Sequence, residues 1–151
     1  MSASHSIILV LWGQGFDEIA ASIFVAELRH LGKRVKLVGL NSQHIAGQHG
    51  VTLVPDLSLG QALQSANRIQ CLIIPAPLAV LQQFSYDPRL AELLAIVARN
   101  QALTVVAALA SDHSPFQINN FSTFTPAELL AYPTNDELLP FVHTYLAPRI
   151  S

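Results

Sequence analysis

The chain has 151 residues, 51% of them hydrophobic, which suits one compact domain with a sizeable core and makes a second domain unexpected. Its net charge is −2 and its basic residues are scattered, with Lys33-Arg34-Val35-Lys36 the one cluster, which argues against nucleic-acid binding along a basic stripe. Charged residues make up 12% of the chain, against about 25% in an average soluble domain; so few cannot cover the surface, which points to a homodimer or a protein partner.

Mean hydropathy is +0.40, yet the longest apolar stretches fall short of the ~18 residues that a spanning helix needs, so no membrane span is expected. The start, Met1-Ser2-Ala3-Ser4-His5-Ser6, is polar and lacks the basic residues of a secretory signal. A single cysteine, Cys71, rules out an internal disulfide and suits a reducing compartment. Together these features fit a cytoplasmic protein.

Ile7 to Trp12 is a continuous apolar run rich in branched residues, the pattern of a strand buried on both faces. The following stretch predicts a helix, with Asp17 and Glu18 in its first turn, where the dipole favours negative charge. Ile19, Ile23, Leu28 and Leu31 are expected as its apolar stripe and Gly32 as its end. Val35 to Leu40 predicts a second strand, and Gln48 to Asp56 a turn leading into a short extended segment.

Ser58 with Gln61 forms a capping-box pattern that opens a short helix. Cys71 to Ile74 predicts a third buried strand, stopped by Pro75-Ala76-Pro77. Asp87 caps a helix with Pro88 at its first position, and Leu90, Leu93, Leu94 and Val97 form its stripe. Leu103 to Ala110 predicts a fourth buried strand. Farther on, Asn120 to Phe124 offers another strand, and Thr125-Pro126-Ala127-Glu128 reads as a capping box with proline at the first helical position. A last helix is expected to open at Thr134 or later, because Pro140 would cost about 3 kcal/mol inside a helix.

This alternation predicts an α/β fold: a three-layer sandwich of flavodoxin-like type, its mostly parallel sheet covered by helices on both faces, formed by residues 1–151 as a single domain. Ligands in such folds bind outside the carboxyl ends of the strands. Three segments converge there: Gly13 to Glu18, Pro75 to Pro77, and Ala107 to Pro115.

The segment Ser6-Ile7-Ile8-Leu9-Val10-Leu11-Trp12-Gly13-Gln14-Gly15-Phe16-Asp17-Glu18-Ile19, followed by Leu28 to Leu40, His49-Gly50-Val51-Thr52-Leu53-Val54-Pro55-Asp56 and Ile73-Ile74-Pro75, resembles the ThiJ/PfpI family. That family lies within the class I glutamine amidotransferase-like superfamily, and the resemblance covers residues 6 to 110. It implies the flavodoxin-like fold and, in active members, a cysteine on a tight strand-to-helix turn beside a carboxylate. This chain departs from that pattern. An ungapped register puts Ala108 at the nucleophile position; a four-residue shift puts Asp112 there, with His113 for the histidine that follows it in some members. Neither supplies a thiol. The family's assisting glutamate falls on Ala20, and the Gly-Gly of its oxyanion loop has become Ala76-Pro77, in which Pro77 lacks a backbone donor. Members are longer, so the resemblance also implies a trimmed C-terminal region.

Asp17 and Glu18 read either as an acid or binding pair or as the acidic first turn of a helix. Asp112 and His113 read either as a general base or as a loop pair that caps the next segment. Ser111 and Ser114 lie outside any Gly-x-Ser-x-Gly elbow. His44 and His49 read as a turn with solvated imidazoles; no metal site and no cofactor are expected. Cys71 reads as a small hydrophobe and Trp12 as core packing. No catalytic residue is assigned. The expected function is that of a catalytically degenerate protein-interaction or regulatory module. A small-molecule ligand is possible in a vestigial pocket of Asp17, Glu18, Pro75, Ala76, Ala108, Asp112 and His113. The alternative is a small-molecule hydrolase or lyase using Asp17, Glu18, Asp112 and His113.

Overall fold

Four apolar runs form the centre of the sheet. In the computed structural model, which describes residues 6–40, 45–84, 86–107, 128–133 and 135–150, these are β1 (Ile7–Trp12), β2 (Val35–Gly39), β6 (Ile69–Ile74) and β7 (Leu103–Ala107). They lie in a six-stranded sheet of order β5-β2-β1-β6-β7-β8, with β5 (Leu57–Ser58) and β8 (Glu128–Tyr132) at its edges. Every pairing in it is parallel. All six residues of β1 are buried, as expected where helices cover both faces. A separate antiparallel hairpin joins β3 (Ile45–Ala46) and β4 (Thr52–Leu53).

The helices are α1 (Glu18–His30), α2 (Leu59–Leu63), α3 (Leu78–Leu81), α4 (Pro88–Arg99) and α5 (Asn135–Pro140). α1 packs with α5 and the turns after it, while α2 packs with α4; the two groups cover opposite faces, giving a three-layer, flavodoxin-like α/β sandwich. Among the described residues no helix is long and apolar enough to cross a membrane.

Local signals account for several boundaries. Asp87 accepts a hydrogen bond from Arg89 N with Pro88 at the first helical position, and Leu90, Leu93, Leu94 and Val97 are buried as their spacing predicts. Ser58 and Gln61 close a reciprocal capping box at α2. Gly32 follows α1 at φ +83°, the left-handed region open to glycine.

Three expectations are corrected. The inner face of α1 consists of Ala20, Ala21, Phe24 and Leu28, whereas Ile19 and Leu31 are 40% and 38% exposed. Glu18 is drawn inward by donors described below, and the next position on a helix points about 100° away, which turns Ile19 outward. The capping-box pattern ending at Glu128 predicted a helix, but Glu128–Tyr132 is a strand, paired with β7 from Leu103↔Glu128 to Ala107↔Tyr132. Pro133 holds Tyr132 out of the α region, so a helix here would have been too short to persist without tertiary support. The last helix opens at Asn135, within the expected window, but runs through Pro140. Pro140 removes a donor from the ladder, and the chain widens to a π-helix over Phe141–Leu146, where the Ala147 amide donates to Val142 O five residues back. The strand expected at Asn120 to Phe124 lies outside the described residues, as does the end of the one expected at Leu103 to Ala110.

Candidate functional site

β1 and β6 are neighbours, yet β1 leads through α1 to β2 on one side, whereas β6 leads through α4 to β7 on the other. The loops leaving their carboxyl ends therefore diverge, which in an open α/β sheet marks the binding crevice. Here the two loops are joined: Asp17 N donates to Pro75 O at 2.8 Å. An aromatic row occupies the same end of the sheet. Trp12 packs edge-on against Phe16 with centroids 6.2 Å apart, and Phe16 against Phe84 at 5.9 Å. Trp12 and Phe16 are fully buried, and the Trp12 indole donates to Ile45 O. A Cβ added to Gly13, just past β1, would meet the Phe84 ring at 2.9 Å.

Asp17 and Glu18 adjoin in sequence but serve different neighbours. Asp17 is the N-cap of α1; its Oδ1 accepts from Ile19 N at 3.0 Å and Ala20 N at 3.2 Å. Glu18 is 3% exposed and turns toward the β3–β4 hairpin. Its Oε1 accepts from His49 Nδ1 at 2.8 Å, its Oε2 from Val51 N at 2.8 Å, and His49 N is 3.0 Å from both oxygens. Burial alone would raise the pKa of Glu18, but the amides of its own backbone, Val51 and His49, with the imidazole, outweigh it and hold the carboxyl near about 2. An ionised carboxylate only accepts, so the His49 proton facing it sits on Nδ1.

The hairpin is fixed at further points, Gly15 N to Ala46 O and Gln48 N to Phe16 O. A Cβ at Gly47 would fall 2.6 Å from the Glu18 carboxyl carbon. His49 is half-exposed but held, rather than fully solvated as its turn-like surroundings suggested. The contact spans 31 residues, so no local spacing announces it.

Asp17, Glu18 and His49 each place a ligand atom within 4.8 Å of the others. The hydrogen bonds to Glu18 occupy its lone pairs, and Asp17 Oδ1 caps the helix, so a cation here would have to displace backbone amides.

The Pro75-Ala76-Pro77 turn follows β6. Neither proline has an N–H, and the Ala76 amide donates back to Ile74 O at 2.8 Å. Pro75 and Ala76 are buried. Cys71 is fully buried within β6, and burial pushes its thiol far above the ordinary range. Ala108, Asp112, His113, Ser111 and Ser114 lie outside the described residues. Of the remaining candidates, Asp17 is joined to Pro75 by the one backbone hydrogen bond, while Glu18 faces the hairpin.

Tyr132, which the sequence did not single out, ends β8 beside this group. It is 5% exposed, stacks edge-on against Phe24 at 5.2 Å, and has its pKa raised by burial and then by the charge of Asp17. Its place in a strand could have been read from the apolar run Leu129-Leu130-Ala131-Tyr132 before Pro133.

Residues 6–111 match the DJ-1/PfpI family. No curated protein matches the sequence. Among solved structures, Drosophila melanogaster DJ-1beta is 21% identical over 93% of this chain and 72% of its own, with a TM-score of 0.65. The VC2308 protein is 23% identical over 68% of this chain and 52% of its own, with a TM-score of 0.60. A cysteine-to-alanine mutant of the DJ-1 superfamily protein STM1931 from Salmonella typhimurium is 23% identical over 70% of this chain and 57% of its own, with a TM-score of 0.57. The chain thus spans little more than half the length of two of these structures. At such identities the likeness carries the fold.

Proposed function

This chain belongs to the DJ-1/PfpI family, and from that premise we propose that it is a catalytically degenerate member, residues 1–151 forming one domain that acts by binding protein rather than by turnover. The observation that carries this reading is the turn after β6. Acyl or carbonyl chemistry relies on donors aimed at a developing oxyanion; in this turn the backbone offers none, because Pro75 and Pro77 lack an N–H and the Ala76 amide is committed to Ile74 O. The lone thiol supports the same reading, since Cys71 is buried and held protonated. The alternative, hydrolysis or lysis by Asp17, Glu18, Asp112 and His113, is disfavoured because Glu18, near about 2, stays ionised and fully hydrogen-bonded at neutral pH.

We further propose a homodimer or a stable protein complex in the cytoplasm. Ile19, Val51 and Val54 are 40%, 51% and 63% exposed, and Val51 is bonded to the first turn of α1, where Ile19 lies. Apolar area removed from water is worth about 25 cal/mol per Å².

Purified protein should show no glutaminase, glyoxalase, deglycase or cysteine peptidase turnover, and light scattering at micromolar concentration should give a dimer or larger. Turnover that disappears in Asp17→Asn would replace this reading with the acid-based enzyme. A monodisperse monomer would remove the assembly part of it.

A further inference from the structure

A cavity of about 540 Å³ opens at the amino ends of β1, β6 and β7, the opposite end of the sheet from Asp17 and Glu18. We propose that it binds a small, singly charged carboxylate that also carries an amide or hydroxyl group, in the manner of an acylated amino acid. The size lies within the range of small-molecule sites, about 300–1,000 Å³. Ser6, Asn67, Arg68, Gln70, Asn100 and Gln101 supply its polar lining.

Charge selects the ligand class. Among the described residues Arg68 is the one charged residue of the lining, and its guanidinium makes no hydrogen bond or ion pair with a described residue, which leaves its fork available to a carboxylate. Among the described residues no acidic side chain lines the cavity, so a cation finds no partner among them. The carboxyl end of α4 also reaches it, at the C-cap Asn100. The negative end of that helix dipole opposes a second negative charge, favouring a monoanion over a phosphate dianion.

The carboxamides select the rest of the ligand. The side chains of Asn67, Gln70 and Gln101 make no hydrogen bond with another described residue. Asn100 is fixed by Nδ2, which donates to Ala66 O at 2.8 Å and Ile69 O at 3.3 Å, leaving Oδ1 to accept. Gln101 stands at φ +57°, just past the end of α4, where glycine is the ordinary residue. A side chain is kept there against the backbone's preference, as at strained functional positions. This site is independent of whether the carboxyl end of the sheet is catalytic.

The test is titration of the ¹⁵N-labelled full chain with N-acetylglycine, followed by amide chemical shifts. Saturable shifts confined to residues 67–70 and 100–102 are expected, with Arg68→Met weakening binding by about tenfold, the scale of one charge-assisted contact. Gln101→Gly should weaken binding while raising the melting temperature. The absence of saturable shifts would overturn the proposal, as would indifference to Arg68→Met or equal binding of inorganic phosphate. Equal binding of acetate would show that the carboxamides recognise nothing, and a lower melting temperature for Gln101→Gly would make that side chain structural; either result also overturns it.

Discussion

At the carboxyl ends of β1 and β6 several polar groups are bonded within the fold: Asp17 N bonds Pro75 O, Glu18 receives the hairpin amides, and Ala76 N turns back on Ile74 O. At the amino ends, by contrast, Arg68, Asn67, Gln70 and Gln101 border a cavity without side-chain bonds to other described residues. Polar groups spent on holding loops together are not available to a substrate. Among the described residues, the end where doubly wound sheets ordinarily bind ligands is a joint between loops, and side chains without such bonds remain at the other.

The sharpest way to break this contrast is Glu18→Ala. It removes the acceptor for His49 N, His49 Nδ1 and Val51 N together. Charge-assisted bonds and stranded buried donors each count for roughly 1–3 kcal/mol, so a loss of about 3 kcal/mol or more is expected from urea denaturation. An effect below about 1 kcal/mol would mean that the hairpin is not anchored through this carboxylate.

The same group gives a pH signature. Its folded pKa, about 2, lies below the ordinary glutamate value of 4.5, so between those values the unfolded chain binds more protons than the folded one. Stability should therefore be fully present above pH 4.5 and fall as pH drops toward 2. Glu18→Gln should flatten that part of the profile; an unchanged acid limb would assign it to other carboxylates.

Phe84→Ala should cost about 2 kcal/mol, less than a fully buried phenylalanine because Phe84 is partly exposed. A neutral result would show that the aromatic row only lies over the crevice and does not close it. The smallest effect is expected at the amino end. Asn100→Ala removes the donor to Ala66 O and Ile69 O and should cost about 1 kcal/mol. A loss as large as that of Glu18→Ala would erase the distinction between the two ends.

Features encoded by short runs were legible in the sequence. β1, β2, β6 and β7 follow from uninterrupted apolar segments, and α2 and α4 from caps within three residues of their targets. The inner face of α1 was not, because Ala20 and Ala21 carry little hydropathy and the rotation of the helix depends on Glu18, whose partners lie 31 and 33 residues away. β8 was misread because a proline near a carboxylate mimics a helix start, while pairing with β7 is a long-range event. Asp17 and Glu18 stand out in the sequence as a pair, but their separate roles rest on backbone amides, which no residue pattern displays.

Trp12 is the chain's one tryptophan, and it stands at the joint, between Phe16 and the carbonyl of Ile45. The molecule thus carries its own optical reporter. Light absorbed by that indole is emitted from a dry site whose polarity changes as soon as the hairpin lifts or the ring of Phe84 swings away. Local opening at this end can be followed without a label, separately from events around Arg68 at the far end of the sheet.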